Sequence, residues 1–101
     1  MKHRDHLDSV LSRLGEAKSA IRCSELTSML QELGFEVRDA KKQGHKVYVH
    51  DGLPSFTSDS FTCGHGKNPE IKSAYITKII RKLRGLETEL LAYLRGKENE
   101  H

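Results

Sequence analysis

The stretch that decides the fold is GFEVRDAKKQGHKVYVHDG, residues 34–52. Side chains over 35–39 follow a period of two, which is typical of a strand with one wet face, and the basic middle is followed by the strand-forming residues Val47, Tyr48 and Val49. The stretch therefore predicts an antiparallel hairpin with strands near 35–39 and 46–50, joined by a turn at 41–44. The dipeptide Asp51-Gly52 is expected to end the second strand because it is a strong turn signal.

Helical spacing of apolar residues begins immediately before this hairpin. Leucine and methionine side chains recur at intervals of three and four between 24 and 33, which predicts an amphipathic helix over that range. Ser24 is expected to cap the first turn of the helix, and Gly34 is expected to end it in a left-handed conformation. Helix and hairpin are thus predicted to follow one another without a linker.

The chain after the hairpin predicts a third strand and a long helix. Residues 60–63 have the composition of a short strand, and the glycine-rich stretch 64–69 is expected to be a loop. Isoleucine and leucine then recur at helical spacing, which predicts a helix near 74–84 capped by Ser73 or Asn68. Together these elements complete an α-β-β-β-α order.

Both ends of the chain extend this unit with further helix. Apolar residues between Leu7 and Leu14 follow helical spacing, and that helix is expected to end near Gly15. Near the other end, Gly85 is expected to kink or break the long helix, because glycine destabilises a helix interior by about 1 kcal/mol relative to alanine. Apolar spacing continues beyond it to Leu94, which predicts a C-terminal helical extension.

The expected fold class is α+β. A three-stranded antiparallel sheet with two helices on one face lets an α-β-β-β-α unit bury its apolar surface, and double-stranded-RNA-binding domains have this arrangement. We therefore expect an N-terminal helical extension over 1–21, a main domain over 22–86, and a C-terminal helical extension and tail over 87–101.

Charge and hydropathy limit the possible partners. The chain has 101 residues and a formal net charge of +3, and its basic residues concentrate in 41–46 and 67–97. Two basic clusters on one small domain predict a polyanionic partner such as RNA. No apolar run approaches the ~20 residues that span a bilayer, and the first residues lack the apolar core of a secretory signal. A cytoplasmic location without membrane association is expected.

Cysteine and histidine spacing argues against disulfide and metal chemistry. Cys23 and Cys63 have no C-x₂-C spacing, and in a cytoplasmic chain they are predicted to be reduced, partly buried hydrophobic side chains. The histidines lack the paired spacing of a zinc site, so no metal site is expected. His50 is expected to bond to the Asp51-Gly52 turn.

An ordered set of motifs in the main domain resembles the HicA family of toxin–antitoxin nucleases. The helix that ends in Gly34-Phe35 is followed by Gly44-His45-Lys46 at the start of a strand, and then by His50-Asp51-Gly52. A loop that carries His65 and Lys67 precedes the last helix, Tyr75-Ile76-Thr77-Lys78-Ile79-Ile80, which keeps the family's leucine and isoleucine spacing.

The resemblance implies an endoribonuclease toxin that cleaves messenger RNA without a metal or another cofactor and is silenced by a HicB-like antitoxin. Such cleavage needs a base that takes a proton near neutral pH, which suits histidine. His45 is therefore the expected catalytic residue. The residues expected to bind RNA around it are Lys42, Gly44, Lys46, His65, Lys67 and Lys72.

Departures from the family pattern keep other functions open. Gly44 stands where the family usually has serine, and Lys46 stands where a second histidine is common. A hydroxyl at that position could orient the imidazole or a phosphate, so a module of the same fold that binds RNA without cutting it is the main alternative. A protein-interaction adaptor, docking through the extra helices, is a further one. The oligomeric state is left open.

Overall fold

The computed structural model describes residues 2–16, 21–41, 44–63 and 69–99. Within these ranges it contains four helices and three strands, which confirms the expected α+β class. In chain order the elements are α1 Lys2–Glu16, α2 Cys23–Glu32, β1 Glu36–Asp39, β2 His45–Val49, β3 Asp59–Thr62, α3 Ser73–Gly85 and α4 Glu87–Asn99.

The three strands form an antiparallel meander in the order β1-β2-β3. Its register sets which side chains share a face: Tyr48 lies opposite Val37 on one side and Asp59 on the other. Tyr48 is fully buried, and Asp59 is ion-paired to Lys78 of α3, so this row faces the helices. Since neighbouring strand residues point to opposite faces, His45 and its partner Thr62 lie on the other face of the sheet.

One apolar core joins all four helices to the sheet. α2 packs against β1, while α1 packs against both α3 and α4. Leu7 and Leu14 of α1 are fully buried in the same cluster as Leu83 and Leu90, so the N-terminal helix is an integral part of the core. Leu26, Leu30 and Ile76 are fully buried on the apolar stripes of α2 and α3, and Ile80 packs against the core while partly exposed.

The helix ends differ from the expected caps. α2 begins at Cys23, its N-cap is Arg22, and no side chain caps it, so the expectation of a Ser24 cap was wrong. Likewise Lys72 is the N-cap of α3 without a side-chain hydrogen bond. The C-terminal prediction is confirmed, because Gly34 has φ +95° just after α2. Gly85 ends α3, and α4 follows after Leu86.

The prediction of reduced cysteines was wrong. Cys23 and Cys63 form a disulfide, with their α-carbons 5.7 Å apart. Sequence spacing gave no sign of it, because the pairing depends on how α2 sits against the end of β3. Both cysteines also form backbone hydrogen bonds. The Cys23 N–H donates to the Pro69 carbonyl at 2.9 Å, and the Cys63 N–H donates to the Gly44 carbonyl at 2.6 Å. The disulfide therefore ties the start of α2 to the residue beside Thr62.

Candidate functional site

His45 is the first residue of β2, and the backbone around it is held on both sides. Gly44, directly before it, has φ +84°, a left-handed conformation that favours glycine. The Gly44 carbonyl accepts the Cys63 N–H, and the His45 carbonyl accepts the Ala40 N–H at 3.0 Å. The imidazole is half-buried. Gly44 thus has a structural reason to be glycine, because serine there would need a strained backbone.

Two hydroxyl groups connect to the His45 ring. The Tyr75 hydroxyl donates to Thr62 Oγ1 at 3.1 Å, and Thr62 Oγ1 lies 3.4 Å from His45 Nε2. With its oxygen accepting from Tyr75, the Thr62 hydroxyl has its own proton left to point at Nε2. In the tautomer that carries its ring proton on Nδ1, His45 accepts the Thr62 proton at Nε2, and the Nε2 lone pair faces that hydroxyl. An oriented, partly exposed imidazole lone pair can act as a base toward a bound hydroxyl.

Three elements bring these groups together. His45 and Thr62 are directly paired in the antiparallel ladder of β2 and β3. Tyr75 lies in the first turn of α3 and is partly buried against the core, with its hydroxyl at the end of β3. The site therefore lies where the last pair of the β2–β3 ladder meets the start of α3.

Lys46 follows His45 in sequence, but its side chain does not lie beside the His45 ring. Consecutive strand residues point to opposite faces, so Lys46 shares its face with Tyr48. Its ammonium group forms an ion pair with Asp39, its cross-strand partner in β1. The structure thus does not bring the Lys46 ammonium to His45.

Lys72 lies at the same end of the molecule as the His45 site. It is exposed, immediately precedes α3, and its carbonyl accepts the Tyr75 N–H at 3.0 Å. The remaining residues expected to bind RNA, Lys42, His65 and Lys67, lie outside the described residues. Of the expected site, Gly44, His45 and Lys72 therefore lie around one end of the sheet.

A charged pair lies on the helix side of β3. Asp59 Oδ1 is 3.0 Å from Lys78 Nζ, and the Ser60 N–H donates to the same oxygen at 2.8 Å. Partial burial acts to raise the pKa of Asp59, but these two bonds and the nearby charge of Lys82 hold it below its ordinary value. Burial and the Asp59 carboxylate raise the pKa of the Tyr48 hydroxyl, which stays protonated. The Asp59–Lys78 ion pair attaches α3 to the sheet.

The other described histidine near the sheet, His50, is a structural residue. It is 5% exposed, and both ring nitrogens have backbone partners: Nδ1 accepts the Gly52 N–H and Nε2 bonds to the Leu33 carbonyl, each at 3.0 Å. The bond to Gly52 confirms the expected contact with the Asp51-Gly52 turn. A cavity beside it is lined in part by Tyr93 of α4, whose ring centroid lies 4.4 Å from that of His50.

Sequence reasoning missed Thr62 and Tyr75. Thr62 was assigned to a strand, but its proximity to His45 depends on the β2–β3 register, which the long connection between these strands leaves undetermined. Tyr75 was counted in the apolar stripe of α3, and its hydroxyl gave no separate signal. A buried tyrosine usually finds a partner for its hydroxyl, which is the one hint the sequence offered.

Within the described ranges, no group of three histidine, cysteine or acidic side chains could hold a metal ion. None of the described helices is long and apolar enough to cross a membrane.

Comparison of the chain with protein-family models, with curated proteins and with solved structures found no match. Fold and side-chain geometry are therefore the grounds on which a function can be assigned.

Proposed function

We propose that this protein is a metal-independent endoribonuclease in which His45 Nε2 takes the proton from a ribose 2′-hydroxyl. The observation that carries the proposal is the half-buried imidazole whose Nε2 faces the Thr62 hydroxyl at 3.4 Å, itself bonded to Tyr75. A bound 2′-hydroxyl would take the place of the Thr62 proton at Nε2. The 2′-oxygen then attacks the adjacent phosphorus and the bond from phosphorus to the 5′-oxygen breaks. The departing 5′-oxygen takes a proton from water, and a 2′,3′-cyclic phosphate remains.

Positive charge supports the phosphate in this proposal. Lys72 is exposed just before α3. Lys42, His65 and Lys67 stay in the proposal as RNA-binding residues on the sequence argument alone. Gly44 is proposed to let the RNA backbone approach closely, while Lys46 contributes less because Asp39 already neutralises its charge.

The biological setting in this proposal follows from the resemblance to HicA toxins. The protein would act as the toxin of a toxin–antitoxin pair, cleave messenger RNA in the cytoplasm, and be silenced by a HicB-like antitoxin that covers His45. The disulfide between Cys23 and Cys63 opposes the cytoplasmic part, because such bonds are rare in reducing compartments. Thiol labelling of protein taken from intact cells, quenched in acid, measures whether the bond exists there.

The test is cleavage of single-stranded RNA in EDTA by the wild type, by His45→Ala, and by His101→Ala as a matched histidine substitution. We expect the wild type and His101→Ala to give products with 2′,3′-cyclic phosphate ends. Loss of the base should slow His45→Ala by about 100-fold or more, with an unchanged circular dichroism spectrum. Cleavage by His45→Ala at the wild-type rate would reject the proposed role of His45.

The second candidate function is an RNA-binding module that does not cut. It is favoured by the absence of a hydroxyl at residue 44 and by the neutralised Lys46. Folded wild-type protein that binds RNA but releases no product would establish this alternative.

A further inference from the structure

A cationic groove runs along α3 beyond the His45 site. It lies between α3 and the connection that follows β2, and its lining residues are Ser55, Lys78, Arg81, Lys82, Gly85 and Leu86. Three of the six lining residues carry positive charge, and none of the six is acidic. A groove with one sign of charge concentrates oppositely charged ligands.

Two of the three cations are available to a ligand. Lys78 is partly neutralised by Asp59. Arg81 and Lys82 are exposed, and no ion pair joins either of them to a carboxylate of the described residues. Lys82 is close enough to lower the pKa of Asp59 without forming an ion pair with it. Glu89 lies at the edge of the groove, where its carboxylate accepts the Ser55 N–H at 2.9 Å. With Asp59 and Glu89 set against three cations, the net charge of the groove is still positive.

The groove is in line with the His45 site. Tyr75, Lys78 and Lys82 follow one another at one-turn intervals on the same flank of α3. Tyr75 contacts Thr62 at the end of β3, and Lys78 contacts Asp59 at its beginning. At 1.5 Å per residue, the path from Tyr75 to Lys82 is about 10 Å long. Because His45 lies on the face of the sheet away from the helices, a strand bound there would pass around the end of β3, beside Tyr75, before it follows α3 into the groove.

We propose that this groove binds the phosphate backbone of the same RNA strand that is cleaved at His45, with Arg81 and Lys82 as its two main phosphate contacts. The inference rests on the proposed function for the identity of the ligand. It assigns a contact surface to residues that were not expected to bind RNA, and it extends the substrate beyond the nucleotides at the scissile bond. Phosphate is favoured because guanidinium and ammonium groups bind it without reading sequence.

The test measures binding rather than cleavage. A fluorescein-labelled single-stranded RNA of mixed sequence is titrated in EDTA at several salt concentrations, and all proteins carry His45→Ala so that the RNA stays intact. The groove variant adds Arg81→Gln and Lys82→Gln. The matched control adds Arg84→Gln and Arg95→Gln, which remove the same charge from exposed helical positions outside the groove. Glutamine keeps a similar helix propensity in each case.

For the groove variant we expect weaker binding and a log–log salt slope reduced by about 1.4, since each phosphate contact to a single strand contributes about 0.7. The control should keep the slope of the parent. Equal slopes for the two variants would overturn the proposal. A second titration replaces the RNA with an acidic peptide. If the groove variant loses peptide binding while its RNA binding is unchanged, the groove binds a protein partner and the proposal is overturned. Neither outcome depends on cleavage, so failure here is distinct from failure of His45 as a base.

Discussion

At the scale of single residues, the site depends on one histidine that the sequence could indicate and two hydroxyls that it could not. His45 follows a glycine at the start of a strand, a position recognisable from the pattern alone. Thr62 reaches it only through the β2–β3 pairing, and Tyr75 only through the docking of α3. Residue 44 is glycine and has no hydroxyl, but Thr62, from another part of the chain, places a hydroxyl near the His45 ring.

Thr62 is predicted to be a positioning residue. Thr62→Val keeps the shape of the side chain but removes the hydroxyl that faces Nε2. The cleavage rate should fall by about 10-fold, equivalent to about 1.4 kcal/mol, because the Thr62 oxygen can no longer accept a hydrogen bond from Nε2 once that nitrogen has taken the proton. Thr62→Ser should restore most of the rate. If Thr62→Val cleaves as fast as the wild type while remaining folded, the hydroxyl does not position His45.

Gly34 is predicted to be intolerant of any side chain. Its φ is +95°, and an added β-carbon would lie 2.5 Å from the Tyr93 ring and 2.7 Å from His50 Nε2. Strain and overpacking together should lower the free energy of unfolding of Gly34→Ala by about 2–4 kcal/mol. Chemical denaturation measures this. The control, Gly15→Ala in α1, meets no atom within 4 Å and should be neutral or slightly stabilising; equal effects of both changes would contradict the explanation.

At the scale of elements, strands and helices followed from periodicity, while their exact ends did not. The hairpin pattern predicted both strands to within one residue, because the alternation over 35–39 and the strand-forming residues 47–49 each extend over most of a strand. Ser24 was a reasonable cap by type, but the disulfide and the Pro69 carbonyl hold the chain one residue earlier, so α2 begins at Cys23. Local capping preference was outweighed by a long-range contact.

The Asp59–Lys78 pair should make the attachment of α3 to the sheet depend on pH. The pKa of Asp59 is lower in the folded protein than in the unfolded chain. Ionised Asp59 therefore stabilises the fold fully at any pH above the pKa that its carboxyl has in the unfolded chain. This stabilisation is lost as pH falls through the lower, folded pKa. Asp59→Asn should reduce the free energy of unfolding by about 1 kcal/mol at neutral pH, and should lose less stability than the wild type on acidification.

Denaturation of both proteins from neutral pH down to about pH 2 provides the measurement. Glu36→Gln is the control, since its carboxylate pairs with Arg38 on the exposed surface. Curves for Asp59→Asn and wild type that run parallel with pH would contradict the assigned role of the pair.

At the scale of the whole molecule, the four helices and the sheet of the described residues share one core, and the Cys23–Cys63 disulfide lies at one end of it. The extensions could be predicted as helices but not as parts of this core, because helical spacing does not say which surface an amphipathic helix covers. The same limit hid the disulfide, which joins two cysteines 40 positions apart. Pairing at that distance is a property of tertiary structure.

Reduction is predicted to destabilise the whole fold. A crosslink that closes a loop of this length contributes about 4 kcal/mol through the entropy of the unfolded chain. Cys23→Ser with Cys63→Ser, or treatment with a thiol reductant, should therefore lower the melting temperature strongly. Reductant should leave the melting temperature of the double variant unchanged. Equal melting temperatures for the oxidised and reduced wild type would show that the bond does not stabilise the fold.

The central claim, that His45 serves as the base for attack by a 2′-hydroxyl, is tested most directly by removing that hydroxyl. The measurement is single-turnover cleavage in EDTA of an RNA and of the same strand with one 2′-deoxynucleotide at the cleaved position. We predict that wild-type protein cuts the RNA to a 2′,3′-cyclic phosphate and does not cut the substituted strand there, while His45→Ala cuts neither at a comparable rate. Cleavage of the substituted strand at that position by the wild type would contradict the mechanism.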